Sequence, residues 1–167
     1  MKEEFIKNEL FMLTIAGAFQ RNHIYKDSID NKTKANFRNY IESLLEQIKI
    51  KYAETVSEKS HLANLDKLKR DVENQYRNIL FNSAISFGTI QKLLNLYLKY
   101  MWTCGFIKEE PPHCPIDKNI LKKIKDHKTN WTKMDKIGYC KAIKKIKKKA
   151  FEEQLSIAGW ELKNFIK

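Results

Sequence analysis

Few residues in this chain can turn a backbone sharply. Five glycines and three prolines in 167 residues leave little turn chemistry, and this scarcity beside abundant Lys, Leu, Ile and Glu argues for a mostly helical domain. Cysteine is also sparse. Cys104, Cys114 and Cys140 are odd in number and far apart, which excludes a disulfide framework. There is no C-x-x-C pair and no four-cysteine iron–sulfur signature. A zinc site would have to draw on Cys104, His113, Cys114 and Cys140, whose spacing suits zinc poorly, so neither a metal nor a cofactor is expected. No apolar run reaches the roughly 20 residues that cross a bilayer. Residues 10–19 are too short, and Lys99 interrupts the most apolar stretch. No membrane partner is expected, and without a leader-like segment the expected location is the cytoplasm. Ser/His/Asp catalysis has no local signature here.

Positive charge is plentiful. The net charge is +12, with 32 Lys+Arg against 20 Asp+Glu. The sign fits a polyanionic partner, and its distribution is uneven. Residues 1–91 carry 14 basic against 12 acidic side chains, whereas residues 92–167 carry 18 against 8. One charged face is the natural reading. Only Arg21, Arg38, Arg70 and Arg77 are arginines, so a lysine-rich composition with solvated lysines is the alternative. A mean hydropathy of −0.57 with 43% hydrophobic residues is ordinary for a water-facing domain, and the length suffices for one substantial core.

Apolar residues at helical spacing place the elements. A first helix over 3–21 carries Phe5, Ile6, Leu10, Met12, Leu13, Ile15, Ala16 and Phe19 on a broad apolar face. After a polar loop at 22–32, Asn31 or Thr33 is placed to cap a second helix running to about residue 52. A third spans 60–81 with a charged, solvated outer face. A fourth runs over 88–104, and a short one follows Asp117 to about residue 125. Thr132 and Asp135 resemble a capping box before a helix over 135–157, which has Ile137 and Phe151 among its apolar positions. A short terminal helix follows Gly159. No repeat or linker divides the chain. The expectation is an all-α, single-domain bundle over 1–167, with six to seven helices around a buried central one, acting as a monomer.

The centre is the stretch 86–120, SFGTIQKLLNLYLKYMWTCGFIKEEPPHCPIDKNI. Its helix is apolar on nearly every face, as befits the inside of a bundle, and stops at Gly105, a suitable C-cap. The segment 111–117 then holds every proline in the chain and stiffens the approach to Asp117. Lys92, in the first turns of the most buried helix, has an amine whose pKa burial lowers, and such an amine can act as a nucleophile. The simpler reading is that Lys92 snorkels to water and Asp117 caps the helix behind it.

Gly88, Gln91 and Lys92 open the long apolar helix, and Pro115 and Asp117 open the next. This arrangement resembles the catalytic core of helix-hairpin-helix DNA glycosylases, most nearly the archaeal 8-oxoguanine glycosylase branch. The resemblance spans about a fifth of the chain. The family's hairpin is glycine-rich; here Gly88 stands alone, with Ala84 and Ser86 where a second glycine would sit. The resemblance implies a DNA N-glycosylase that removes a damaged or modified base, 8-oxoguanine or a bulky phage-type base, with abasic-site lyase activity through a lysine imine. Lys92 and Asp117 would be the catalytic pair. Gln91, His113, Trp102 and Trp131 are the expected base contacts, although a tryptophan in a bundle is more often core and packing is the slightly favoured role for Gln91. Double- or single-stranded DNA would be held at Gly88, Lys122, Lys123, Lys125, Lys144, Lys145 and Lys148. The competing expectation is a non-catalytic basic DNA-binding or regulatory protein that uses Lys92 on a phosphate.

Overall fold

The computed structural model describes residues 1–165. Among these the fold is all-helical, a single compact domain of seven α-helices: α1 Lys2–Phe19, α2 Asn31–Lys49, α3 Glu58–Tyr76, α4 Phe87–Thr103, α5 Lys118–Lys123, α6 Lys136–Glu152 and α7 Ile157–Phe165. Short 3-10 turns occupy Ile50–Ala53, Phe81–Ser83 and Trp131–Lys133. No described helix is long and apolar enough to cross a membrane.

Helix α4 is the axis. Only Tyr100, Trp102 and Thr103 along it are more than marginally exposed. Helices α1, α2, α3 and α6 pack around it, as does the turn Trp131–Lys133. The α1–α4 approach is close: a Cβ on Gly17 would lie 2.7 Å from Leu96 Cδ2. The face of α1 that meets α4 is Phe11, Thr14, Ile15 and Ala18. Phe5, Ile6, Met12 and Leu13 lie on the solvent side instead, so the broad apolar face expected of this helix is only half used. Ile137 and Phe151 of α6 are likewise exposed, at 66% and 82%.

Side-chain oxygens satisfy the free N–H groups at the helix starts. Asp30, not Asn31 or Thr33, caps α2 by accepting from Thr33 N at 2.9 Å. Ser57 and Ser86 cap α3 and α4. Asp135 caps α6, accepting from Gly138 N, while Thr132 belongs to the preceding turn. Helix α3 ends earlier than its apolar spacing suggests. Leu80 turns extended and forms an isolated antiparallel bridge with Tyr25, because Lys26 N donates to Ile79 O and Phe81 N to Ile24 O, both at 2.9 Å. This pairing fastens the loop after α1 beside the turn before α4.

Two buried polar systems cross the core. Lys99 of α4 and Glu161 of α7 form an ion pair at 2.8 Å, both buried, with Phe165 beneath the ammonium at 3.7 Å. Breaking such a pair from one side leaves an uncompensated charge, costing about 3–5 kcal/mol. Around His61 and His113, Tyr52 OH meets His61 Nδ1 and Tyr139 OH meets His113 Nδ1, each at 2.7 Å. Burial depresses both imidazoles, His61 to about 3 and His113 to about 4, so both are neutral near pH 7.

Candidate active site

Lys92 and Asp117 meet. The amine stands 3.7 Å from Asp117 Oδ2, an ion-pair distance too long for a hydrogen bond. The two carboxylate oxygens have separate tasks. Oδ1 accepts from Asn119 N at 2.9 Å and Ile120 N at 3.0 Å, which caps α5 and fixes the group. Oδ2 is left facing the amine. The capping expected of Asp117 and its pairing with Lys92 thus coexist. Lys92 does not snorkel into bulk water, since it is only 7% exposed. Its ammonium lies 4.3 Å from the centre of the Trp131 ring, a cation–π geometry. Burial holds the amine below its ordinary pKa. Asp117 opposes that shift, and the nearby charge of Arg21 adds to it.

Three devices assemble this pair. The first is Gln91, one position before Lys92 and fully buried. Its Nε2 donates to Ile116 O at 2.8 Å, and its Oε1 accepts from Ile116 N at 3.1 Å. One amide thus grips both backbone groups of the residue before Asp117. Asn95, one turn on, donates to Gln91 Oε1 and to Tyr139 OH and fixes the amide's orientation. The second device is Gly88. A Cβ there would lie 1.8 Å from Trp131 O, and its N–H donates to Met134 O at 2.9 Å. The missing side chain lets the segment 131–134 lie against the start of α4 and sets Trp131 over Lys92. The third is the turn after α1, where Arg21 takes a left-handed φ of 62° and lines the same cleft as the pair.

The pair opens into a cleft of about 100 Å3, lined by Gln20, Arg21, Lys92, Asp117, Lys118, Asn119 and Trp131. It shares Arg21, Lys118 and Trp131 with a groove of about 380 Å3 whose further cations are Lys122 and Lys128. The cleft alone is smaller than the 300–1,000 Å3 usual for ligand sites; the groove is within that range.

Several expected site residues lie elsewhere. Gln91 has no exposed surface, and its amide is spent on Ile116, so it positions and does not reach a base. His113 is 2% exposed, bound to Tyr139 and 3.8 Å from Glu58; it belongs to the core. Trp102 is half-buried, about 15 Å along α4 from Lys92 at 1.5 Å per residue, and lines no part of the cleft. Gly88 is buried with its N–H bonded inside the protein, and cannot hold a phosphate. Lys122 lines the groove. Lys145 reaches its edge by pairing with Asp126 at 3.2 Å. Lys123, Lys125, Lys144 and Lys148 are exposed but line neither cleft nor groove. Sequence reading missed Gln20, Arg21, Lys118, Asn119 and Lys128. Lys118 and Asn119 follow Asp117 directly and were within reach of a local argument; Gln20 and Arg21 come from a distant helix end and carry no local signal.

Among the described residues no group of three or more His, Cys, Asp or Glu side chains is placed to hold a metal ion. Cys104 is exposed and Cys114 buried, and all three cysteines are free. Compared with protein-family models, with curated proteins and with solved structures, the chain matches none.

Proposed function

We propose that this protein is a DNA N-glycosylase with associated lyase chemistry, acting through Lys92 and Asp117. The observation that carries the reading is a desolvated amine 3.7 Å from a carboxylate oxygen that its own helix cap leaves unused, at the mouth of a cleft with cationic walls. Neutral Lys92 attacks C1′ of a deoxynucleotide turned out of the stack. The glycosidic C–N bond breaks, and the base leaves with the electron pair and takes up a proton. Asp117 Oδ2 receives the proton lost from the attached nitrogen and offsets positive charge developing on the sugar. Opening of the sugar ring leaves an imine between Nζ and C1′, from which loss of a C2′ proton expels the 3′ phosphate. Arg21, Lys118, Lys122 and Lys128 are placed to hold the flanking phosphates.

Borohydride reduction during incubation with duplexes carrying abasic sites or modified bases is the test. A covalent protein–DNA species is expected with the wild type and absent from Lys92→Gln, while DNA binding persists. A wild type that binds these duplexes but gives no adduct on any of them overturns the proposal. That outcome would favour the non-catalytic reading, which has one observation behind it: Asp117 already has a structural task at the head of α5.

A further inference from the structure

A second recess lies one helical turn from Lys92. Its volume is about 420 Å3, inside the range of sites that enclose a small ligand. Ile24 and Ile85, both buried, form an apolar floor. Thr89 borders it, and residues three apart on a helix are neighbours, so the recess opens beside the face that carries Lys92. Arg21 belongs to both the recess and the catalytic cleft.

Its wall is aromatic. Phe81 is 40% exposed, and its ring is stacked on His23 with centroids 4.2 Å apart and planes 9° from parallel. This exposure is built in. The Phe81 N–H is pinned to Ile24 O at 2.9 Å, and the next two residues, Asn82 and Ser83, hold left-handed φ values of 52° and 56°. Non-glycine residues in that region carry a backbone cost that commonly marks functional turns. The catalytic cleft has charge but little room; the recess has room and an aromatic wall, with Arg21 and Lys133 at its border.

From this division we infer that the recess between the loop after α1 and the turn before α4 is the base-binding subsite. It takes a planar nucleobase, lifted from its strand, against the Phe81–His23 stack. The inference rests on the glycosylase reading for why a base arrives there. The sugar then lies at Lys92 and the phosphates along the groove beyond it. Stacking on an aromatic ring is tolerant of base identity and worth about 1–3 kcal/mol per base, so the recess selects for a base that leaves its stack cheaply.

The full chain is tested with two duplexes. One carries 2-aminopurine in a mismatched pair, whose fluorescence reports stacking. The other carries an abasic site and so has no base to seat. Wild type and Phe81→Tyr are expected to raise the 2-aminopurine emission as the base leaves its neighbours in the duplex. Phe81→Ala is expected to lose at least fivefold of that rise, while all three bind the abasic duplex within twofold of one another. Absence of a rise in the wild type, an unchanged rise in Phe81→Ala, or an equal loss of abasic-duplex binding overturns the subsite. Borohydride trapping on the abasic duplex is read in parallel. No adduct alongside a Phe81-dependent rise removes the glycosylase chemistry and leaves the base-binding recess standing.

Discussion

Lys92 is the residue on which chemistry and stability pull in opposite directions. Its amine is held below the ordinary lysine range chiefly by burial. The unfolded chain therefore binds the proton more tightly, and between the two pKa values stability rises with pH. Near neutrality the charged amine is a liability that Asp117 and Trp131 only partly offset. On the proposed mechanism, the same depression raises the neutral fraction available for attack. Trapping rates should therefore climb with pH and level off below the ordinary lysine pKa; a pH–rate profile under borohydride checks this, and a rate still rising beyond that pKa contradicts it. At this scale the sequence was partly legible. Lys92 and Asp117 stood out because each is ionisable next to an apolar or stiffened segment. The packing role weighed for Gln91 is the one it has, but its partner was not legible: its contact is the backbone of Ile116, and backbone leaves no mark in the residue code.

At the scale of elements, two contacts set the site. Gln91→Leu removes the grip on Ile116 and leaves a buried N–H and C=O unpaired, at about 1–3 kcal/mol for each group. Thermal unfolding should shift down by about 2–4 °C for each kcal/mol lost, and the trapping rate should fall with it as Asp117 loses its anchor. Gly88→Ala forces the start of α4 away from Trp131 O. Over-packing of this kind costs about 1–3 kcal/mol, and the intrinsic tryptophan emission should change as the 131–134 segment moves. The helices themselves were readable from apolar spacing and caps. The stop of α3 at Tyr76 was not, because Ile79 and Leu80 keep helical spacing while Ile79 O and Phe81 N, on either side of Leu80, pair with the loop after α1. Nor was the exposed side of α1, since Phe5, Ile6, Met12 and Leu13 are as apolar as the residues that do meet α4.

For the whole molecule the two testable fields are charge and acid. If the groove carries DNA, Lys122→Ala should reduce the slope of log K against log salt by about 1, whereas Lys144→Ala and Lys148→Ala, on the part of α6 away from the groove, should change it little. Equilibrium binding across a salt series separates these. The two neutral core histidines predict an acid limit. Below pH 6.5 the unfolded chain takes up protons that the fold refuses, so stability should fall by up to about 1.4 kcal/mol per pH unit for each histidine, continuing until about pH 4 for His113 and about 3 for His61. Denaturant titrations at stepped pH measure this, and a flat profile between pH 6.5 and 4 contradicts it. Charge asymmetry between the halves was plain in the sequence; which lysines share a groove was not, because the groove joins α5 to the end of α1. The grip of Gln91 on Ile116 ties two distant segments together: it holds the carboxylate in register with the amine only while Gln91 and Lys92 stay adjacent on α4. A single residue inserted between positions 91 and 92 would swing the amine about 100° around the helix and leave Asp117 facing nothing.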